Sequence, residues 1–312
     1  MKQTVIAVIG PTAVGKTALS IQLAKTLNGE VISGDAMQIY KGMDIGTAKV
    51  KAEERQGIPH HMIDIKNPDE SFSVADFKAY VQTYINEIEG RSRIPIIAGG
   101  SGLYIQATLF DYQFPKQQRD PLITERFENI VKTQGAEPLY QRLQHIDPEQ
   151  AEKIHPNNYR RVIRALEIYE TTGFTMSEYQ SQQSRTPVYD AILIGLNMDR
   201  QILYEQINKR VDLMIQDGLL QEVKGLYDQG YNDAQSMKAI GYKELIPYIE
   251  GKQTLDECIE LLKRNSRRYA KRQLTWFRNK LDDVKWFPIY PDTAKQQFSM
   301  ITKEIEGILK EK

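Results

Sequence analysis

A phosphate-binding loop near the start of the chain carries the clearest chemistry in the sequence. The spacing Gly10-x-x-x-x-Gly15-Lys16-Thr17 follows an apolar run from Thr4 to Ile9 and precedes a helical pattern of apolar residues. In such a P-loop, backbone N–H groups and a helix N-terminus hold phosphate, the lysine reaches a terminal phosphate, and the threonine hydroxyl ligates Mg²⁺. The pattern predicts a phosphate site with Mg²⁺ as cofactor, and a glycine-rich structural turn is the alternative.

One acidic side chain is placed to serve this phosphate site. An ordinary nucleoside triphosphatase has an apolar strand that ends in aspartate, whereas the candidate strand here, IPIIAGG, ends in glycines. The acid instead lies at the end of another predicted strand, EVISGD, which ends at Asp35. Three roles are open for Asp35: a ligand of Mg²⁺ through water, a general base, or the N-cap of the segment after it.

A basic segment near the C-terminus predicts a polyanionic partner. The formal net charge of the chain is zero, yet eight cations and no acid occur between positions 263 and 280, namely Lys263, Arg264, Arg267, Arg268, Lys271, Arg272, Arg278 and Lys280. Tyr269, Trp276 and Phe277 lie between them, and cations interleaved with aromatic residues suit contacts with RNA phosphates and bases. A solvated basic helix face is the alternative for this segment, and also for the helix that carries Arg160, Arg161 and Arg164.

Alternating strand and helix patterns predict the scaffold that positions these residues. The first hundred residues contain three apolar strands, each followed by a turn and a helical pattern, which is the rhythm of a parallel sheet with right-handed crossovers. Ser73 and Asp76 form a capping box at the start of one helix, and Phe72 and Phe77 its hydrophobic staple. Ligands of such sheets bind at the carboxyl ends of the strands, where the P-loop and Asp35 fall.

The pattern changes near Asp111, and we interpret the change as a helical insertion. From about 114 to 184 the sequence shows helical patterns and no convincing strand, after which the strand AILIGLNM appears. The predicted fold class is α/β, with a P-loop NTPase-like parallel sheet core and a mostly helical inserted domain. We place the core with its C-terminal helical part at 1–113 and 188–312, and the insertion at 114–187.

Composition places the protein among ordinary globular proteins of a reducing compartment. The 312 residues are 41% hydrophobic and 26% charged. The sequence shows no apolar run long enough to span a membrane and no signal-peptide pattern. The single cysteine, Cys258, is expected to be a buried helix residue, and the four histidines lack metal-ligand spacing. We therefore expect a cytoplasmic protein, and a monomer.

Seven motifs together resemble one enzyme family. In chain order they are GPTAVGKT, SGDAMQIYKGMDIGTAK, PHHMIDI, AGGSGLYIQA, RRVIRALEIYE, MKAIGYKEL and AKRQLTWFR. The set is similar to that of the tRNA dimethylallyltransferases, also called tRNA isopentenyltransferases, and the resemblance covers about residues 4 to 290. Ser101 stands where the family often has threonine. The single cysteine excludes the C-terminal zinc finger of eukaryotic members, so the chain resembles the bacterial form.

The resemblance implies a reaction and a set of site residues. A dimethylallyl group moves from dimethylallyl diphosphate to N6 of the adenine at position 37 of tRNA, just 3′ of the anticodon, and diphosphate leaves. Asp35 matches the family's general base and Arg210 its diphosphate-binding arginine. The implied catalytic residues are Asp35, Lys16, Thr17, Ser101 and Arg210. The implied diphosphate site comprises Gly10, Thr12, Ala13, Val14, Gly15, Lys16, Thr17 and Arg210, with Thr17 as the metal ligand.

The implied partner is the anticodon stem-loop of tRNA, with a larger set of contact residues. These residues are Asp35, Ala36, Met37, Gln38, Tyr40, Ser101, Arg126, Arg160, Arg161, Arg164, Lys238, Arg267, Arg268, Lys271, Arg272 and Trp276. The amide of Gln38 offers a donor and an acceptor to an adenine edge, and Ser101 is expected near either the reacting amine or the diphosphate.

Three other functions fit parts of the pattern. A P-loop small-molecule kinase would use ATP, but the basic segment and the insertion are then unexplained. A non-catalytic tRNA-binding protein would not need the intact Lys16–Thr17 pair beside Asp35. A prenyltransferase of free AMP, ADP or ATP would not need an RNA-sized basic surface.

Overall fold

The computed structural model describes residues 2–114, 120–184 and 186–311, which form two compact units. The first unit is Met1–Phe110 with Pro187–Lys312, and the second is Asp111–Thr186. The predicted insertion includes residues 115–119 and 185, which lie outside the described residues. In the described ranges, no helix is both long enough and apolar enough to cross a membrane.

A six-stranded parallel sheet forms the centre of the first unit. Its strands are β1 (Thr4–Ile9), β2 (Gly29–Ser33), β3 (His60–His61), β4 (Ile94–Gly99), β5 (Asp190–Asn197) and β6 (Lys285–Pro288). Their order in the sheet is β3-β2-β4-β1-β5-β6, and every neighbouring pair is parallel. This arrangement confirms the predicted α/β class with a parallel core.

The strand register brings the predicted chemical groups to one edge of the sheet. Ile9 at the end of β1 is paired with Gly99 at the end of β4, and Ser33 at the end of β2 is paired with Ala98. The P-loop, the Gly100–Ser101 turn and Asp35 follow these three strand ends directly. After β1 the chain continues to β2, which lies on one side of β1 in the strand order, whereas β5 lies on the other side. The P-loop therefore follows a strand at a topological switch point of the sheet.

Helices cover both faces of this sheet. They are α1 (Lys16–Thr26), α2 (Val74–Gly90), α3 (Gly102–Leu109), α9 (Arg200–Gln216), α10 (Leu219–Asp228), α11 (Ile246–Ile249), α12 (Leu255–Lys280) and α13 (Ala294–Lys310), with α4–α8 in the second unit. The predicted capping box of Ser73 and Asp76 begins α2. Phe72 and Phe77 are both buried in the core on that face, as the predicted staple requires.

Three local predictions in the first unit need correction. His60–His61 is an edge strand that the sequence analysis missed, because two residues are too few to show a strand period. Strand β2 ends at Ser33 rather than at Asp35. The segment after Asp35 is a series of turns and not a helix, so Asp35 is not a helix N-cap.

The second unit is helical in its described residues and has its own apolar core. Its helices are α4 (Pro121–Gln134), α5 (Glu137–Ile146), α6 (Pro148–Glu152), α7 (Tyr159–Thr172) and α8 (Met176–Ser181). The core includes Phe127, Leu139, Leu143 and Leu166. Pro156 lies between α6 and α7, where its missing N–H breaks no hydrogen-bond ladder of a helix.

Candidate active site

The P-loop is held in a conformation that depends on its glycines. Gly10 and Gly15 have φ angles of 147° and 98°, and Ala13 between them also has a positive φ of 65°. A Cβ atom on Gly10 would lie 2.5 Å from the carbonyl oxygen of Leu196 in the neighbouring strand β5. The loop therefore needs glycine at position 10 both for its backbone angle and for its close approach to the sheet.

Two cations lie at this loop. The ammonium of Lys16 donates to the carbonyl oxygen of Pro11 at 2.6 Å, and the guanidinium of Arg210, from α9, lies 3.5 Å from the hydroxyl of Thr12. Burial and then the positive charge of Arg210 lower the pKa of Lys16 to about 7, although Asp35 opposes the shift. Two buried like charges side by side are costly without an anion, which makes the loop a candidate anion site.

Asp35 faces the same cations. Burial raises the pKa of its carboxyl group above the ordinary value, while the N–H of Met37, Lys16 and Arg210 oppose the increase. One carboxylate oxygen accepts the backbone N–H of Met37 at 2.8 Å, which fixes the side chain in an Asx-type turn. A carboxylate oriented in this way and raised in pKa suits a general base better than a solvated aspartate would.

Ser101 links the Asp35 turn to helix α12. Its hydroxyl accepts the backbone N–H of Ala36 at 3.1 Å, and its interaction with Tyr269 on α12 partly opposes the rise in the pKa of that tyrosine. Burial is the largest of the causes that raise the pKa of Tyr269 to about 12, and the charge of Asp35 adds to it. Ser101 thus lies beside the Asp35 turn, and Tyr269 belongs to the site interior rather than to an exposed RNA surface.

The segment after Asp35 is held by its own polar contacts. The amide oxygen of Gln38 accepts the hydroxyl of Ser33 at 2.7 Å, and its amide nitrogen donates to the carbonyl oxygens of Thr47 and Ala48 at 3.1 and 3.3 Å. Gln38 therefore braces the turn in this structure, and its donor and acceptor are engaged before any adenine binds. Ala36 and Met37, beside it, are partly exposed.

Glu222 organises the next part of this segment and was missed from the sequence. Its carboxylate accepts the backbone N–H groups of Asp44, Ile45 and Gly46 at 2.8 to 3.0 Å, and the hydroxyl of Tyr242 at 2.6 Å. Glu222 lies 178 residues from Asp44 along the chain, and no local pattern signals the contact.

Some aromatic residues predicted at the RNA surface are buried. Tyr40 and Phe277 are fully buried, so their rings have no surface available to a base. Trp276 is partly buried, and its indole N–H is enclosed without a hydrogen-bond partner. Of the three, only Trp276 retains an exposed part. The positions of Tyr40 and Phe277 argue against direct RNA contact and assign them to the core.

The basic segment occupies the second half of α12. Arg264, Arg268, Lys271, Arg272, Arg278 and Lys280 are exposed. Arg267 is partly buried and donates to the side chain of Asn208 at 2.6 Å, and Lys263 forms an ion pair with Asp212 at 2.8 Å. Lys238 is exposed in a short 3₁₀ helix, Ser236–Lys238. The predicted cations on α12 therefore divide into an exposed group and two that pack against α9.

The predicted arginines of the second unit also differ in availability. Arg160 and Arg161, at the start of α7, are exposed. Arg164 lies 3.4 Å from Glu167, and Arg126 forms an ion pair with Glu170. These latter two guanidinium groups have carboxylate partners within their own unit.

The residue most clearly missed is Gln273, a buried amide on α12 beside the phosphate loop. The buried positions of α12 are Cys258, Leu262, Ala270, Gln273 and Phe277, at helical spacing. A polar residue on an otherwise apolar face was the available signal, and it was masked by the basic residues around it. Cys258 is buried as predicted.

Fold and site together define the class: an α/β protein with a P-loop at a switch point, facing a buried carboxylate. The model of the IPP transferase family matches residues 38–280. The chain belongs to the IPP transferase family.

Similar proteins span nearly the whole chain. It is 57% identical over 312 residues to a tRNA dimethylallyltransferase of Oceanobacillus iheyensis, covering 100% of this chain and 99% of the relative. A tRNA dimethylallyltransferase of Bacillus cereus is 57% identical over 311 residues, covering 100% and 97%.

Solved structures share the fold as well. The tRNA isopentenylpyrophosphate transferase of Bacillus halodurans has a TM-score of 0.73 at 50% identity, covering 100% of this chain and 98% of that one. A eukaryotic dimethylallyltransferase acting on tRNA has a TM-score of 0.78 at 36% identity, covering 92% and 74%.

Proposed function

We propose that the protein is a tRNA dimethylallyltransferase that modifies N6 of the adenine at position 37, just 3′ of the anticodon. Dimethylallyl diphosphate is the donor. The bond between its first allylic carbon and the diphosphate oxygen breaks, a bond from that carbon to N6 forms, the N6 proton passes to a base, and diphosphate leaves. The observation that carries the proposal is the meeting of a two-cation phosphate loop and a buried carboxylate at one edge of the sheet.

The phosphate loop supports the departure of diphosphate. Negative charge grows on the leaving group as the allylic bond breaks, so preorganised cations stabilise the transition state more than the bound substrate. Lys16, Arg210 and the N–H groups of the glycine-rich loop provide this positive potential. Their placement before the reaction spares the reorganisation that water would require.

Asp35 is the proposed base. The lone pair of an adenine amine is delocalised into the ring, so the amine must lose its proton as it attacks carbon. Asp35 is held by the N–H of Met37 and lies beside Ser101 through the Ala36 contact. General base catalysis by a positioned carboxylate contributes about 10² to 10⁴-fold. Ser101 is proposed to orient the amine.

Mg²⁺ fits the side chains at the loop. Thr17, in the first turn of α1, is exposed at the end of the P-loop. The described parts of the chain hold no group of three histidine, cysteine or acidic residues that would form an all-protein metal cage. Mg²⁺ typically takes one or two protein oxygens with phosphate oxygens and waters, so Thr17 would hold the ion against the diphosphate. When bound, it neutralises charge on the leaving group.

The tRNA is proposed to bind along the exposed cations of α12, Lys238 and the second unit's arginines. Phosphate contacts by Arg268, Lys271 and Arg272 would position the anticodon stem-loop, and an unstacked base would enter the site. Both units bind the RNA under this proposal.

Mass spectrometry of modified tRNA tests the proposal. Purified protein is incubated with unmodified tRNA, dimethylallyl diphosphate and Mg²⁺, the tRNA is digested, and nucleosides are examined for adenosine carrying one added C5H8. We expect the product with the natural protein and none with Lys16→Ala. No product despite tight tRNA binding would favour a non-catalytic binding protein. Absence of both would favour a kinase, to be tested with ATP.

A further inference from the structure

Gln273 joins the two loops that flank the reaction centre. Its side-chain oxygen accepts the backbone N–H of Thr12 in the P-loop at 2.9 Å. Its side-chain nitrogen donates to the carbonyl oxygen of Gly100, in the turn that leads to Ser101, at 3.0 Å. The side chain is 5% exposed. The bond to Gly100 is buried and the bond to Thr12 is partly buried, so leaving either unmade is costly.

Two glycines of the AGGSG turn pack closely against α12. A Cβ atom on Gly100 would lie 2.1 Å from the side-chain nitrogen of Gln273, and one on Gly102 would lie 2.3 Å from the indole ring of Trp276. A side chain at position 100 would displace the amide of Gln273, and one at position 102 would displace the ring of Trp276. Glycine at these two positions therefore allows the turn to pack closely against α12.

The hydrogen bond to Thr12 stabilises a strained part of the P-loop backbone. Ala13 has a φ of 65°, a left-handed angle that is unfavourable for a residue with a side chain. Thr12, immediately before it, is held through its N–H by Gln273 and lies within reach of Arg210 through its hydroxyl. External contacts on both sides of Thr12 offset the local strain.

We infer that Gln273 is a positioning residue for the diphosphate half of the reaction. It holds the P-loop in its anion-binding shape and fixes the distance between that loop and the Ser101 turn. The inference rests on the proposed function, because it assigns Gln273 to a diphosphate site. It also gives α12 two separate tasks: exposed cations face RNA, and one buried amide sets the phosphate loop.

Pyrophosphate binding to variants at position 273 tests this role. Gln273→Met keeps the volume of the side chain and removes both hydrogen bonds, and Gln273→Asn keeps the amide on a chain too short to span both loops. We expect inorganic pyrophosphate with Mg²⁺, measured by calorimetry, to bind about tenfold more weakly to Gln273→Met, the effect expected when a buried backbone group has no partner. The KM for dimethylallyl diphosphate should rise similarly, and the KM for tRNA should stay within about twofold.

Controls separate this inference from the proposed function. Gln296→Met makes the same chemical change at an exposed position of α13 and should bind pyrophosphate like the natural protein. Wild-type affinity in folded Gln273→Met would overturn the inference, and so would equal weakening for pyrophosphate and tRNA, which indicates general damage. If Gln273→Met does not fold, Gln273→Asn decides on the same criteria. No pyrophosphate binding by the natural protein would instead overturn the phosphate-site assignment itself.

Discussion

At the scale of single residues, the site places the cations of Lys16 and Arg210 beside a carboxylate that the backbone holds in position. Burial acts in opposite directions on the two kinds of charge, lowering the pKa of Lys16 to about 7 and raising that of Asp35. Each shift moves the pKa of the group toward neutral pH. Among the described residues, neither Lys16 nor Asp35 forms a salt bridge. The cost of burying their charges is therefore not offset by a close partner, and a charged ligand bound at the site would reduce it.

Removal of the proposed base should separate chemistry from binding. Asp35→Asn keeps the shape of the side chain but cannot accept the N6 proton. We expect the single-turnover rate of prenyl transfer to fall about 10² to 10⁴-fold, with tRNA affinity nearly unchanged. Asp233→Asn, at an exposed position, is the matched control. Retained chemistry together with abolished tRNA binding would show that Asp35 is not the base.

At the scale of elements, α12 carries exposed cations on one face and a buried amide on the other. Its capping box of Thr254 and Glu257 begins a helix of 26 residues, whose buried face packs on the core and whose other face carries the exposed cations. Because i and i+4 residues share a helix face, Tyr269 and Gln273 both reach the reaction centre. Their backbone neighbours Arg268 and Arg272 are exposed.

Neutralising the exposed cations of α12 should weaken RNA binding in a salt-dependent way. We expect the double variant Arg268→Ala with Lys271→Ala to bind tRNA more weakly, and the slope of log K against log salt to fall by about one for each phosphate that the protein no longer neutralises. Filter binding across salt concentrations measures both quantities. Lys303→Ala on α13 is the control, since Lys303 is also exposed. A slope equal to that of the natural protein would remove these cations from the RNA interface.

A buried carboxylate on β2 links this strand to the edge strand β3. Glu30 on β2 is buried and accepts hydrogen bonds from Arg91 and Arg93, and its carboxylate lies 2.6 Å from a ring nitrogen of His61 on β3. Burial alone would raise the pKa of Glu30, but hydrogen bonds from Arg91 and His61 and their charges outweigh it and lower the pKa to about 2.

Glu30 should make stability depend on acid pH. Its folded pKa of about 2 lies below the ordinary value of 4.5, so its contribution is complete above pH 4.5 and disappears as the pH falls toward 2. The difference corresponds to about 3 kcal/mol. We expect Glu30→Gln to lower the free energy of unfolding by about that amount at pH 7 and to flatten its decline in acid, measured by urea denaturation. Glu87→Gln, exposed on α2, should change little.

At the scale of the whole molecule, the chain consists of an α/β core and an inserted helical unit. The core closes at the junction itself: Phe110 is bridged to Pro187 in antiparallel fashion, and the N–H of Val188 donates to the carbonyl oxygen of Leu109 at 2.8 Å. Each unit buries its own apolar cluster. These facts support independent folding of the core.

Deletion of the insertion tests the proposed division of labour. We expect a variant in which a short Gly-Ser linker replaces residues 112–185 to fold and to bind pyrophosphate with wild-type affinity. Its KM for tRNA should rise by about tenfold or more, because the deletion removes Arg160 and Arg161, which we propose to bind RNA phosphates. Calorimetry and steady-state kinetics measure the two effects. An unchanged KM for tRNA would remove the second unit from RNA recognition.

The sequence by itself determined the features that depend on neighbours along the chain. The P-loop, the α2 capping box and the parallel strand rhythm involve residues a few positions apart, whose spacing specifies backbone geometry directly. The family could also be predicted from the sequence, because each of its motifs is a contiguous segment of the chain. The break at Pro156 was also visible in principle, since proline interrupts a helix wherever it falls.

Only the tertiary structure decided which distant polar groups meet. Gln273 and Thr12 are 261 residues apart, and Glu222 and Asp44 are 178 apart. No local period encodes these pairings, because they arise when α12 and α10 pack against loops formed elsewhere in the chain. The same packing buries Tyr40 and Phe277 and leaves Arg268 exposed. Residue type establishes what a side chain can do, but burial and partners, which depend on the whole fold, decide what it does.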